Sequence, residues 1–200
     1  MKKSIVLFVI ALLTVSGCVS YTPKQVAMND PAAYTMRQTK ENISLAIDPY
    51  YSADKQKKAF DTSDSMISQG LMPVAVIVKN DGDIPVKVEK GMFALMKPDG
   101  SQEKPVPVED VYKAVKYSTL GRAVMGGAFA AASASNANEA MLADLKNKDL
   151  KDHVVAKDAT DTGFLFFDVP KDIKGVDGYK IVAGISENGT TVVDFKIPLQ

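Results

Sequence analysis

One cysteine and one histidine limit the chemistry open to this chain of 200 residues. Zinc centres draw their ligands mainly from Cys and His, so a site of that kind is not expected. The histidine, His153, lies in the run Lys151-Asp152-His153-Val154-Val155. A His beside an Asp can form half of a proton-transfer triad. The other half is missing, because no nucleophile turn such as G-x-S-x-G accompanies it. His153 therefore reads as a surface residue at the start of a strand. Asp144, Asp149 and Asp152, and Asp158 and Asp161 around Thr160, are interleaved with lysines. That is the pattern of a solvated face and lacks calcium-loop spacing. Met66, Met72, Met92 and Met96 carry thioethers suited to Cu(I), but their alternation with Val, Phe and Leu fits core filling. No catalytic residue, metal or soluble cofactor is expected.

One segment stands out from this background. From Leu120 to Ser135 the chain is dominated by Ala, Gly and Ser, and within it Ala123, Gly127, Ala131 and Ser135 recur every fourth residue. On one helix those positions form a stripe of small side chains that lets another backbone approach closely. They are the candidate interaction residues, for a second copy, a partner or the bilayer. Against this, each glycine costs a helix about 1 kcal/mol relative to alanine, so the competing reading is a low-complexity Ala/Gly helix or a mobile loop laid over the sandwich.

The amino terminus carries a clearer signal. Lys2 and Lys3 precede the apolar run Ile5 to Leu13, the layout of an export signal, and the run is shorter than the ~20 residues of a spanning helix. Val15-Ser16-Gly17-Cys18 follows. This resembles the lipobox of bacterial lipoproteins, in which an apolar residue and two small ones precede the cysteine. The resemblance implies that residues 1–17 are a signal peptide and that the Cys18 thiol receives diacylglycerol before cleavage. The lipid, palmitate among its acyl chains, would then be the only covalent group the protein carries. Val19 rather than Asp follows the cysteine, which by the same resemblance favours the outer membrane, at its periplasmic face. Several acyl chains on one residue give stable anchoring where one binds marginally.

Composition agrees with an anchored, non-enzymatic module. Basic and acidic side chains balance at 24 each, and loss of Lys2 and Lys3 with the signal would leave a slight acidic excess. Phosphate-neutralising charge is absent, so nucleic acid is not an expected partner. Beyond Cys18 there is no cysteine to staple the fold.

Two regions follow the signal along the chain. Residues 18–40, polar and broken by Pro23 and Pro31, read as a lipidated tether, with a short helical turn after Asp30-Pro31. Residues 41–200 read as a single β domain. Its strands begin at Asn42–Ile47 and Pro73–Val78, with a lysine-rich helix from Asp54 to Phe60 between them. A hairpin turn at Asn80-Asp81-Gly82-Asp83 leads into Ile84, Val86 and Val88. Met92–Met96 follows after a bend at Gly91, then a turn at Lys97-Pro98-Asp99-Gly100. Later strands are Phe164–Phe167, Tyr179–Ile185 and Val193–Leu199, the last two joined at Glu187-Asn188-Gly189. Between the two sets, residues of about 108–150 have helical spacing and read as an inserted helical hairpin. The pattern predicts a mainly β fold resembling an immunoglobulin-like β-sandwich, though without the Cys…Trp…Cys hallmark. The expected role is a binding or accessory module for an envelope protein partner. The alternative is self-association or membrane contact through residues 120–135.

Overall fold

The computed structural model describes residues 19–200 apart from 63, 172 and 188–190; the expected signal peptide (1–17) and Cys18 lie outside the described residues. Among the described residues the chain forms ten strands and three α-helices. Four strands, β1 (Arg37–Lys40), β2 (Ile43–Pro49), β3 (Leu71–Asn80) and β8 (Thr160–Asp168), make a first antiparallel sheet in the order β1-β2-β3-β8. The second sheet contains β4 (Val86–Val88), β5 (Phe93–Met96), β6 (Gln102–Glu103), β7 (His153–Val155), β9 (Lys180–Glu187) and β10 (Thr191–Pro198). Its order is β6-β5-β9-β4-β7, and β10 runs along the other side of β9.

Side-chain alternation along the strands builds the layers. Residues of a strand point alternately to opposite faces. Met72, Val74, Val76 and Val78 of β3 and Leu165 and Phe167 of β8 face the second sheet. There they meet Val86, Val88, Phe93, Leu95, Ile181 and Phe195 in one core. The other faces of β3 and β8 carry Leu71, Ala75, Phe164 and Phe166, and these are buried as well. Their cover is the helical layer: α1 (Ala53–Ala59), α2 (Val108–Val115) and α3 (Thr119–Lys148). Burying strands on both faces explains why β3 and β8 read as unbroken apolar runs. The described residues thus form three layers, with helices outside the first sheet and, among the described residues, no layer over the second.

Local chemistry sets the helix ends. Ser52 caps α1, its hydroxyl accepting from Lys55 N at 3.3 Å, and Pro107 stands at the cap of α2 with Glu109 and Asp110 in the first turn, where the helix dipole favours negative charge. The helical pair occupies residues 108–148. It joins the sheet at both ends through the free edge of β8: Val106 N donates to Phe166 O at 2.7 Å and Leu150 N to Phe164 O at 2.9 Å. Gly163 permits the second contact. A Cβ there would lie 2.5 Å from Leu150 Cα.

Two expectations need correcting. Residues 80–83 do turn, but they do not close a hairpin. β3 pairs with β2 and β8, whereas β4 pairs with β7 and β9, so the turn passes the chain from one sheet to the other. Buried Asn80 holds this crossing, donating to Ile84 O at 2.8 Å and Val155 O at 3.2 Å while accepting from Gly82 N at 3.0 Å. The segment 18–40, expected as a free tether, is not free in its described part. Residues 37–40 are β1, and residues 19–28 lie against the helical layer with Tyr21 buried.

Candidate functional site

The candidate site is the first half of α3 together with the N-terminal segment lying along it. The buried face of α3 is Ala130, Ala134, Ala137, Met141 and Leu145, a spacing of three and four that keeps one face turned to the core. Alanine at three of these positions brings the helix close to its neighbours.

The N-terminal segment is pinned at several points. Val19 N lies 3.4 Å from Ser133 Oγ, Thr22 N donates to Asp61 Oδ2 at 2.9 Å, and the Tyr21 hydroxyl donates to Asp144 Oδ2 at 2.6 Å. Asp144 also accepts from the Lys148 ammonium, which donates in turn to Ala59 O at 2.7 Å and sits 5.2 Å from the Phe60 ring centre. Burial raises the Tyr21 phenol far above its ordinary value, helped by the adjacent Asp144 carboxylate. Burial lowers the Lys148 ammonium, and Asp144 opposes that shift. Breaking a buried ion pair is costly, and Tyr21 gives Asp144 Oδ2 a second donor beside Lys148. The buried Tyr21, not predicted from the sequence, anchors the segment to the fold. Its only sequence signal is an aromatic residue within a polar stretch.

The described chain therefore starts against α3, at a residue adjacent in sequence to Cys18.

Toward its start, α3 turns away from the core. Gly127 has φ 71° and ψ −165°, a region open essentially to glycine, and there the helix is kinked. On either side, Val124 is 82% exposed and Phe129 90% exposed. This break corrects the expected stripe. Ala123, Gly127, Ala131 and Ser135 keep their four-residue spacing, but the backbone is not one continuous helix through them. Gly127 is exposed at the kink, Ala131 is half-buried, and Ser135 is exposed. Ser135 lines a surface cavity between α2 and α3 with Tyr112 and Asn138. Buried Asn138 closes the link between these helices, accepting from Tyr117 N at 2.8 Å and donating to Tyr117 O at 3.0 Å.

The other residues singled out by type are dispersed. His153 Nε2 lies 3.3 Å from Asp161 Oδ1, while Asp152 instead accepts from Lys90 N at 2.7 Å. Burial raises the Asp161 carboxyl, with His153 pulling the other way, and Asp161 Oδ2 is buried without a hydrogen-bond partner among the described residues. Asp149 pairs with Lys90 at 2.6 Å. Met66 and Met72 are buried in the two cores, whereas Met92 and Met96 line an outer groove. Among the described residues, no three of His, Cys, Asp and Glu converge as a metal site, and no helix is long and apolar enough to cross a membrane.

No protein-family model matches the chain, and no curated protein matches it in sequence. Two solved structures superpose on it loosely. The yjhA protein from Bacillus subtilis does so with a TM-score of 0.47 at 11% identity, covering 84% of this chain and 98% of its own. The ycdA protein of Bacillus subtilis, itself only provisionally assigned as a lipoprotein, gives a TM-score of 0.44 at 18% identity. That match covers 82% of this chain and 38% of ycdA, so this chain spans less than half of that protein's length. At such TM-scores neither likeness carries a function across.

Proposed function

We propose that this protein is a non-enzymatic lipoprotein of the outer membrane, anchored through lipid on Cys18 at the periplasmic face. It would present an immunoglobulin-like β-sandwich as an accessory or binding module to a protein partner of the envelope. The observation that supports this most is the docking of Val19 on Ser133 beside buried Tyr21. Lipid on the preceding residue would bring the helical layer to the bilayer and turn the second sheet, whose outer face no layer of the described residues covers, away from it. The core shared by two facing antiparallel sheets, with a chain crossing at Asn80, supports the immunoglobulin-like reading.

Cell fractionation with labelled palmitate tests the anchor. The wild-type chain should take up label and sediment with outer membranes, and Cys18→Ala should do neither. A Cys18→Ala variant that still incorporates palmitate would overturn the proposal.

A second reading, membrane contact through residues 120–135, is favoured by a specific observation. Phe129 and Val124 stand out from the same helix that receives the start of the described chain. Two large apolar side chains are a small surface, enough to orient an anchored domain but not to hold a free one.

A further inference from the structure

Among the described residues, no layer covers the outer face of the second sheet. Outward positions on β5 and β9 include small and apolar residues, whereas those of β10 include Asp194 and Lys196. Ala94, Val182 and Gly184 floor a groove of about 390 Å³ walled by Met92 and Met96. Gly184 leaves room for Met92, whose Cε would come within 2.8 Å of a Cβ at that position. Thioether side chains adapt their shape to what they meet, and Met92 remains 43% exposed.

The rim of this groove is basic. Lys40, Lys104 and Lys196 line it, against the single carboxylate of Asp194. Many lysines elsewhere on the molecule sit beside acids, as in Lys79 with Asp30 and Asp81, Lys87 with Glu89, and Lys97 with Glu103, so three lysines against one carboxylate make this groove locally basic. Among the described residues, none of the three rim lysines has a carboxylate within ion-pair distance. The Lys40 ammonium donates to Asp194 O and that of Lys104 to Gly91 O at 2.7 Å, both backbone carbonyls. Those bonds orient the ammonium groups without neutralising them.

We propose that this groove is a docking surface for an acidic protein segment with interspersed apolar side chains. The apolar side chains would enter over Ala94 and Gly184 between the two methionines, and the acids would meet the three lysines. This inference deepens the accessory-module reading by naming the partner's chemistry and the face it meets. Charge complementarity of this kind governs specificity and encounter rate, and a floor of thioethers tolerates several apolar shapes.

The test uses the full-length protein in neutral detergent micelles with 13C-labelled methionine methyls. The probe is a ten-residue peptide alternating glutamate with valine, and its twin carries lysine for glutamate. The acidic peptide should shift the Met92 and Met96 signals while leaving buried Met66 and Met72 in place, which also shows that the fold is intact. Added salt should weaken this binding. Reversing Lys40, Lys104 and Lys196 together to Glu should weaken it by about tenfold or more, and Lys196→Glu alone by a smaller factor. The proposal is overturned if Met92 and Met96 do not respond to the acidic peptide, if the lysine peptide acts equally, or if the triple variant binds as well. It is also overturned if vesicles of phosphatidylglycerol shift these methyls and the peptide does not, since the occupant is then a lipid surface. Palmitate uptake is read separately, so loss of the anchor and loss of the groove are distinguishable.

Discussion

Tyr21 joins the N-terminal segment to the domain through one hydroxyl, and its surroundings make that hold sensitive to alkali. Its phenol is raised above the ordinary 10.0 by burial and then by Asp144. A group that holds its proton more tightly when folded contributes fully below its unfolded value, and the contribution fades as pH climbs beyond it. Lys148 acts in the opposite sense. Its lowered value means that the cost of burying its charge is relieved as pH approaches 10.5 from below. Tyr21→Phe should therefore cost about 1–2 kcal/mol near neutral pH and flatten the decline in stability above pH 10. Urea denaturation across that range measures both effects, and an unchanged alkaline slope would contradict this role. The same scale explains a misleading signal. His153 and Asp152 are neighbours in sequence, but adjacent residues of an extended chain point to opposite sides. The carboxylate facing His153 is that of Asp161, on β8. The absence of a nucleophile motif was legible in the sequence; the partner of the histidine was not, because it depends on how strands meet.

Elements were legible where their periodicity was strong. The strands of β3, β8, β9 and β10 and the helical residues after Val108 follow directly from apolar spacing. Strand partners were less accessible, because a turn signal such as Asn80-Asp81-Gly82-Asp83 shows that the chain reverses without showing which sheet it enters. The contact between Asn80 and Val155, 75 residues away, decides that. The docked segment 19–28 was hidden for a different reason: an extended chain held by a few side chains has no period to detect. Glycine punctuation did mark a real constraint at Gly163, where the helical pair returns to the sheet. Gly163→Ala would drive a methyl into the backbone of Leu150 and should lower unfolding free energy by about 1–3 kcal/mol. Gly91→Ala, with open space at its Cβ, should stay within about 0.5 kcal/mol of wild type. Equal stabilities for the two variants would show that the junction tolerates displacement of residue 150.

At the scale of the whole molecule, the layers give the domain two unlike sides. One is the helical layer, with the start of the described chain fixed on Ser133 and Phe129 and Val124 projecting nearby. The other is the uncovered outer face of the second sheet, some 20 Å away by the usual spacing of about 10 Å between packed layers. Sequence could suggest the anchor at Cys18 and an unusual segment at 120–135. It could not show that Val19 rests on Ser133, or that the stripe of small residues is broken at Gly127. With Val19 held there, the proposed acyl anchor on the preceding residue would fix which side meets the bilayer. The most direct measurement is the environment of nitroxide labels placed singly at 129 and at 104 in the acylated protein reconstituted in bilayers. The account predicts that the label at 129 is reached by lipid-soluble oxygen and shielded from an aqueous nickel relaxant, and that the label at 104 shows the reverse. Equal aqueous exposure at both positions, or shielding at 104 alone, would contradict it.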